Sequence, residues 1–496
     1  MRGRLISIGV CVCMAGGSAL ALPQTLAPSI EDRLAALERR VELLERENRE
    51  LRARVEHATS ASAEARVEVA SVAPYVAVQA AKANPAMAAN PAAVAAAQAA
   101  APGSSPEKRL PGFELGPWRA VPYGTVYFNM FSNSGGSNNA DVPLFAASGH
   151  GNVSVSVRQT RLGLRLDGPQ VAKGKLTGTF EADFFGGLPG IGLGETFPLL
   201  RLRLAYGKLD WEKTSFIVGQ DWMIFSPNNP VSIASAAIPQ LVSAGNLWQR
   251  LPQIRLERRG GSTVKWLGQV AVVIPGTGDF PTSNISAFLL QPGAGARSRV
   301  PHFQARISAS RADWLGLKQT ATVGASGHYG RARVLTPSGE RERDTVGAAL
   351  DWNFPLAPRL TLMGEGFFGR NMAGFQGGVF QGIDAGFAPQ NGGLVPRSGR
   401  AITTRGAWGQ LGFTPPGQDK LTLYTSFGID DPRDEDLMGT PLADFRERNQ
   451  AYTFSFLHKL SGQFAWGIEF RRLMTQYLLS GRKTNNHVNL GVTTSF

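Results

Sequence analysis

From Pro122 to Phe496 apolar and polar residues alternate with a period of two, in runs broken by Gly, Pro, Asn and Asp. The alternation predicts strands at 122–131, 153–167, 173–185, 199–210, 213–222, 251–260, 262–275 and 300–311. It continues at 317–333, 341–354, 358–370, 399–414, 418–428, 446–460, 463–478 and 484–496, which makes sixteen. In 484–496, Val488, Leu490, Val492, Thr494 and Phe496 alternate with His487, Asn489, Gly491, Thr493 and Ser495. In 463–478, Phe464, Trp466, Ile468 and Phe470 oppose Ala465, Gly467, Glu469 and Arg471. Tyr452, Phe454 and Phe456 likewise oppose Ala451, Thr453 and Ser455. One face is apolar enough for lipid, the other small or charged enough for water. Tight links (Gly168–Ala172, Asp210–Glu212, Gly260–Gly261, Pro355–Ala357, Pro415–Gly417, Ser461–Gly462) take turns with long ones. The long ones are Ser132–Asn152, Met223–Arg250, Gly276–Arg299, Asn371–Ser398 and Ile429–Phe445. This asymmetry predicts an all-β fold, a 16-stranded antiparallel transmembrane β-barrel. A soluble sandwich shares the period but not the regular alternation of loop lengths.

A different period precedes the strands. Ile30, Leu34, Leu37, Val41, Leu44, Asn48, Leu51 and Val55 are spaced 4,3,4,3,4,3,4. That is a heptad with Leu34, Val41, Asn48 and Val55 at a and the others at d, hence an N-terminal α-helical coiled coil. In a parallel arrangement Arg33 meets Glu38, Arg40 meets Glu45 and Glu47 meets Arg52 of a neighbouring helix. Val at a with Leu at d suits a dimer. Arg33-Leu34-x-x-Leu37-Glu38 and Arg40-Val41-x-x-Leu44-Glu45 instead resemble short trimeric coiled coils, so a homotrimer is expected through coiled coil and barrel walls, with the dimer as alternative. Before it, Arg2 and Arg4, the apolar stretch Leu5–Leu20 and Ala19-Leu20-Ala21 form a secretory signal. The expected organisation is signal peptide 1–21, periplasmic coiled coil 22–57, Ala/Pro-rich linker 58–110 and barrel 111–496. The expected location is the bacterial outer membrane, among lipid and lipopolysaccharide. Phe496, with alternating apolar residues behind it, resembles the signal read by the outer-membrane assembly machinery.

Composition narrows the chemistry. Of 496 residues 43% are hydrophobic and 18% charged, which excludes wholesale disorder. Beyond residue 22 no run of about 18 apolar residues appears, which excludes a helical membrane protein. Both cysteines, Cys11 and Cys13, lie in the signal, and the six histidines are scattered, which argues against a zinc site or a thiol enzyme. The net charge of +13 would suit nucleic acid, but export and the spread of Arg over strands argue against it. An enzyme needs a nucleophile, base and orienting acid in reach. Only His302 and His487 are strand histidines placed inward, and no Ser sits in a nucleophile elbow, so neither enzyme nor cofactor is expected. The carboxylates of Asp430-Asp431-Pro432-Arg433-Asp434-Glu435-Asp436 lack EF-hand spacing and read as a solvated acidic loop rather than a cation site.

The inner face carries the candidate function. With Leu200, Leu202, Leu204 and Tyr206 on one face, Arg201 and Arg203 take the other. Leu176, Phe180 and Phe184 outside leave Glu181 and Asp183 inside. Ile254 and Leu256 outside leave Arg255, Glu257 and Arg259 inside, and Arg306 lies opposite Phe303, Ala305 and Ile307. In 153–167 the phase changes between Val157 and Leu162, and a bulge near Arg158–Thr160 would put Arg161 and Arg165 inside. Arg405 and Arg471 are further candidates. Glu365 and Glu469 add carboxylates that can pair with the arginines. Such a wall suits an anion-preferring pore, or an arginine–carboxylate lattice that only structures the barrel. The nearly uncharged connection Met223–Arg250, with Asn228, Asn229, Asn246, Trp248 and Arg250, is the third long-side loop. It can narrow the lumen, form a surface flap or be a piece of trimer contact.

The runs VSVRQTRLGLRLDG, GKLTGTFEADFFG, LRLRLAYGKLDW, SFIVGQDWMIF and WQRLPQIRLERR resemble the DcaP-like porins. The resemblance covers strands two to six, and the coiled coil fits it. It implies a trimeric outer-membrane channel for passive diffusion of small anionic solutes such as dicarboxylates. The matching positions are Arg161, Arg165, Glu181, Arg201, Arg203 and Arg255. A looser similarity runs to phosphate-selective porins. A structural tether acting through the coiled coil is the alternative from another class.

Overall fold

The computed structural model describes residues 112–278, 292–336, 339–384, 387–390, 393–396, 399–437 and 444–496. The expected signal peptide, coiled coil and linker lie outside the described residues. Sixteen antiparallel strands close a barrel: β1 Trp118–Ser137, β2 in two segments (Ala146–Ser156 and Arg161–Val171), β3 Gly174–Asp183, β4 Arg201–Asp210, β5 Thr214–Trp222 and β6 Arg250–Gly260. They continue as β7 Val264–Val273, β8 His302–Arg311, β9 Ala321–Thr336, β10 Gly339–Ala357, β11 Leu360–Arg370 and β12 Thr403–Phe413. The last four are β13 Leu421–Pro432, β14 Arg446–Lys459, β15 Phe464–Tyr477 and β16 Gly481–Ser495. β16 returns to β1 from Thr125↔Ser495 to Asn133↔His487, so no edge is left open. Gly124 and Phe496 extend this seam by exchanging both backbone hydrogen bonds at 3.1 Å.

Alternation explains the two faces. Ile254, Leu256, Phe303, Ile307, Tyr452, Phe454, Ile468 and Val488 are exposed on the outside, whereas Gln253, Thr453, Glu469 and His487 are buried inside. Two of the bulges shift this phase in the arginine-bearing wall. Between Asn129↔Ser156 and Thr125↔Arg161, three residues of β1 face four of β2, so Val153 and Val155 as well as Leu162 point outward. The second lies on β4. Ala182 pairs with Leu202 and Glu181 with Leu204, which makes Arg203 the extra residue. Arg201 and Arg203 both face inward as expected. Leu204 and Tyr206 follow them inward, contrary to the expected outer row, because the added residue inverts the remainder of the strand. Leu204 is buried, and Tyr206 hydrogen-bonds Thr179 on the inner face of β3.

Two connections are shorter than expected. β1 runs to Ser137 and β13 to Pro432, so the loops between strands are 138–145 and 433–445. Ser132–Ser137 shows no alternation, yet it pairs with Ala146–Val153 and, at Ser132 and Asn133, with Val488 and His487 by backbone hydrogen bonds that need no particular side chain.

Candidate functional site in the barrel lumen

Strands β2 to β6 build one inner wall from alternating arginines and carboxylates. Glu181 accepts Arg203 Nε at 2.6 Å and the Tyr123 hydroxyl at 3.0 Å, with Arg161 at 3.7 Å. Asp183 accepts Arg201 at 2.6 and 3.0 Å and Arg203 at 2.7 Å. Arg255 lies between Asp221 at 2.6 Å and Glu257 at 3.0 Å. Gln269 on β7 carries the wall on from Glu257 to Arg306 on β8, which makes a two-pronged contact with Asp351 at 2.7 and 3.0 Å. Arg165 is different. It is exposed inside the barrel, lies over the Tyr123 ring at 5.0 Å, and bonds no carboxylate among the described residues.

The connection 223–249 does not leave the barrel; it runs round the inside as a belt. The backbone N–H groups of Ile224 and Phe225 donate to Gln304 on β8, and that of Ser226 to Ser326 on β9. On β11, Glu365 accepts the Ser226 hydroxyl at 2.6 Å and the Asn228 N–H at 2.5 Å. Val231 exchanges both backbone bonds with the Gln410 amide on β12, and Ser232 donates to Glu469 on β15 at 2.6 Å. Asn129 on β1 then donates to the Ile233 carbonyl. Gln159, turned inward by the β2 bulge, holds Ala234, Ala236 and Ala237. Arg201 on β4 donates to the Ala237 carbonyl at 2.8 Å. Successive belt residues thus meet successive parts of the wall, and the segment is buried although it is a loop. Wall glycines make room for it. A Cβ on Gly491 would stand 2.7 Å from Ile233 Cγ1 and 3.0 Å from its carbonyl oxygen.

The remaining predicted loop residues lock the belt. Asn228 also donates its amide to the Trp352 carbonyl at 3.2 Å, and Asn246 bridges Asn229 and the Gln240 carbonyl. Trp248 donates its indole N–H to Gln376 at 2.9 Å. Arg250 is buried between the rings of Trp222 and Trp248, 4.3 and 5.0 Å from their centroids. Glu365 is the belt's principal clamp. In Glu365→Ala the Ser226 hydroxyl, the Asn228 N–H and the Trp408 indole N–H lose their acceptor, about 1–3 kcal/mol for each buried donor left unpaired. The expected result is an unfolding transition in detergent well below the parent's, with Glu365→Gln between the two. An unchanged transition for the Ala variant would contradict the clamp.

The architecture has a solved counterpart. The outer membrane channel DcaP of Acinetobacter baumannii aligns with a TM-score of 0.57 over 78% of this chain and 100% of its own, at 18% identity. The chain has the DcaP fold. The anion-selective porin from Comamonas acidovorans (12% identity, TM-score 0.46, 76% of this chain and 100% of that one) aligns more loosely than DcaP. So does Pseudomonas putida OprB (9% identity, TM-score 0.45, 75% and 94%). No protein-family model and no curated protein matches the chain.

The structure brings Arg161, Arg165, Arg201, Arg203, Arg255, Arg306, Glu181, Asp183 and Glu257 to the inner face, where the period and, for Arg161 and Arg165, the bulge placed them. Arg471 is also inside, on Glu469 at 2.8 Å. Arg405 is not. Its neighbours Thr404 and Trp408 are buried inward, while its own side chain is 75% exposed outside. Glu365 holds the belt instead of pairing with an arginine. The predicted acidic loop is split by the strand that contains it: Asp430 is buried inside on Thr404, and Asp431 points out to Arg405 and Arg448.

His302 and His487 are buried as expected, and His328 joins them inside, 5.2 Å from the His302 ring. A second inward loop, with Met372, Phe375 and Val379, was not legible. Phe375 packs on Phe225 and His328, adding to an apolar cluster with Leu247 and Trp248.

Proposed function

We propose that the chain is an outer-membrane porin, a water-filled channel for passive diffusion that prefers small anions such as organic acids and dicarboxylates. One observation carries the charge preference: in the inner ion pairs the arginine is usually the partner turned to water. Arg201 is 24% exposed against 0% for Asp183, and Arg161 13% against 5% for Glu181. Arg306 shows the same order over Asp351. Arg165 adds an exposed cation, whereas Glu365 and Asp430, two inward carboxylates that bond no arginine among the described residues, are fully buried and hydrogen-bonded. A passing solute therefore meets guanidinium donors more than carboxylates, and guanidinium holds carboxylate or phosphate through paired N–H groups. The apolar outer face and strands mostly of ten or more residues suit a bilayer crossing. On this reading the N-terminal coiled coil lies in the periplasm, the assembly is a homotrimer, and Phe496 is the assembly signal.

Osmotic swelling of proteoliposomes tests the preference. Succinate is expected to enter faster than 1,4-diaminobutane, which has the same carbon count and opposite charge. Equal rates, or a faster diamine, would refute it. The apolar cluster of Phe225, Leu247, Trp248, Met372 and Phe375 favours a second reading, a structural tether with a filled lumen. Swelling in no solute, glycerol included, would select the tether.

A further inference from the structure

The two inward loops meet at a pair of histidines that the pore reading leaves unused. His328 on β9 and His302 on β8 are both buried, with ring centroids 5.2 Å apart. Phe225, at the start of the belt, lies 5.8 Å from the His328 ring. Phe375, in the connection between β11 and β12, lies 4.7 Å from it. The two phenyl rings are themselves 5.5 Å apart, which closes the group. Backbone contacts tie both loops to the same place. Gln304, two residues along β8 from His302, holds the N–H groups of Ile224 and Phe225, and the Phe375 carbonyl accepts the Trp248 N–H at 3.3 Å. One imidazole thus packs on both segments that occupy the lumen.

Its surroundings suit the neutral ring alone. Neither nitrogen of His328 has a hydrogen-bond partner among the described residues, and nor has Nδ1 of His302, whose Nε2 meets the Arg331 backbone at 3.2 Å. The inward charged groups on the neighbouring elements are bound elsewhere. Arg306 lies on Asp351, Glu365 on Ser226, and Arg343 and Asp384 on the backbone at 399–400. The loop segments 223–227 and 372–380 carry no charged side chain. An uncharged imidazole packs here as one more aromatic ring. A protonated one is a cation buried without an acceptor and beside a second imidazole, a state relieved only if the rings part. Imidazole is also the side chain that gains its charge on mild acidification.

We propose that His302 and His328 form an acid-released latch on the second inward loop. At neutral pH the uncharged rings hold Phe375 against Phe225 and the wall. As the pH falls and His328 takes up a proton, the segment around Phe375 leaves the wall and the entry of the belt loses its cover. The movement is local, because the far end of the loop stays tied: Val379 donates its N–H to Asp430 and accepts Arg446 Nε at its carbonyl. Asp430 is itself titratable, so the test separates it from His328. The latch rests on the packing of the two loops and not on the lumen conducting.

The test is circular dichroism of the purified full-length protein in detergent between about pH 7 and about pH 4. The near-ultraviolet signal of packed aromatic rings is expected to fall in acid and return on neutralisation, while the far-ultraviolet strand signal stays. His328→Phe keeps a ring and cannot take a proton, so its near-ultraviolet signal should hold over the same range. His328→Gln, equally unable to take a proton, should hold its own and serves where the phenyl ring does not fit. Single-channel conductance, divided by that of the bulk solution, should rise about twofold in the parent over this range and not in the variants. An unchanged near-ultraviolet signal in the parent would overturn the proposal without any variant having to fold. Equal loss in parent and variants would also overturn it, assigning the acid response to a carboxylate such as Asp430 or Glu365. The dichroism needs no conducting pore, so a failed porin reading and a failed latch are separable.

Discussion

Replacing Ser232–Asn246 by a short Gly-Ser link raises the single-channel conductance at least about twofold, because flow through a pore is set at its narrowest section. The deletion removes the part of the belt that rests on Glu469, Asn129, Gln159 and Arg201, together with the returning strand of the loop held on Asn449. The sixteen strands pair with one another and not through the belt, so the barrel should remain closed. Heat-modifiable gel mobility checks that closure, and planar-bilayer recording reads the conductance. The variant should also lose discrimination between solutes of different size. A folded variant with the parent's conductance would mean that the limiting section lies elsewhere.

Arg165→Glu combined with Arg201→Gln moves the channel's preference away from anions by roughly tenfold in the chloride-to-potassium permeability ratio. A unit charge about 5 Å from a passing ion contributes about 0.8 kcal/mol even in water, and the double variant changes the lining by three units. Arg165 bonds no carboxylate among the described residues, so its reversal strands no partner. Asp183 keeps Arg203 at 2.7 Å when Arg201 becomes neutral. The fold should tolerate both changes. High salt should shrink the difference, because exposed charges are screened over a Debye length of about 10 Å at 0.1 M. A parent-like ratio in the folded double variant would leave the inner arginines as scaffold only.

What could be read beforehand follows from what a period of two encodes. Strand number, the alternation of most loops and the inward arginines are local properties of the pattern, and they agree with the structure. The confused phase around Arg158–Thr160 was itself a signal, since only an extra residue reconciles Val157 with Leu162. The bulge at Arg203 left no such mark, because Leu204 and Tyr206 are apolar enough for either face. Arg405 misled for a related reason: near the end of a strand the outer face is no longer apolar, so charge does not imply lumen.

The loops were least legible. That 223–249 is short of charge suggested an inward course, but its brackets Gln159, Gln304 and Gln410 come from distant strands and carry no local pattern. The same holds for Met372 and Phe375, whose partners Phe225 and Leu247 lie more than a hundred residues away in the chain.

Whether the lumen conducts and favours anions is read from the reversal potential of the purified oligomer in a planar bilayer under a KCl gradient. The expected potential is displaced towards the chloride equilibrium value. Displacement towards potassium would contradict it, placing the carboxylates rather than Arg165 and Arg201 in control of the passage.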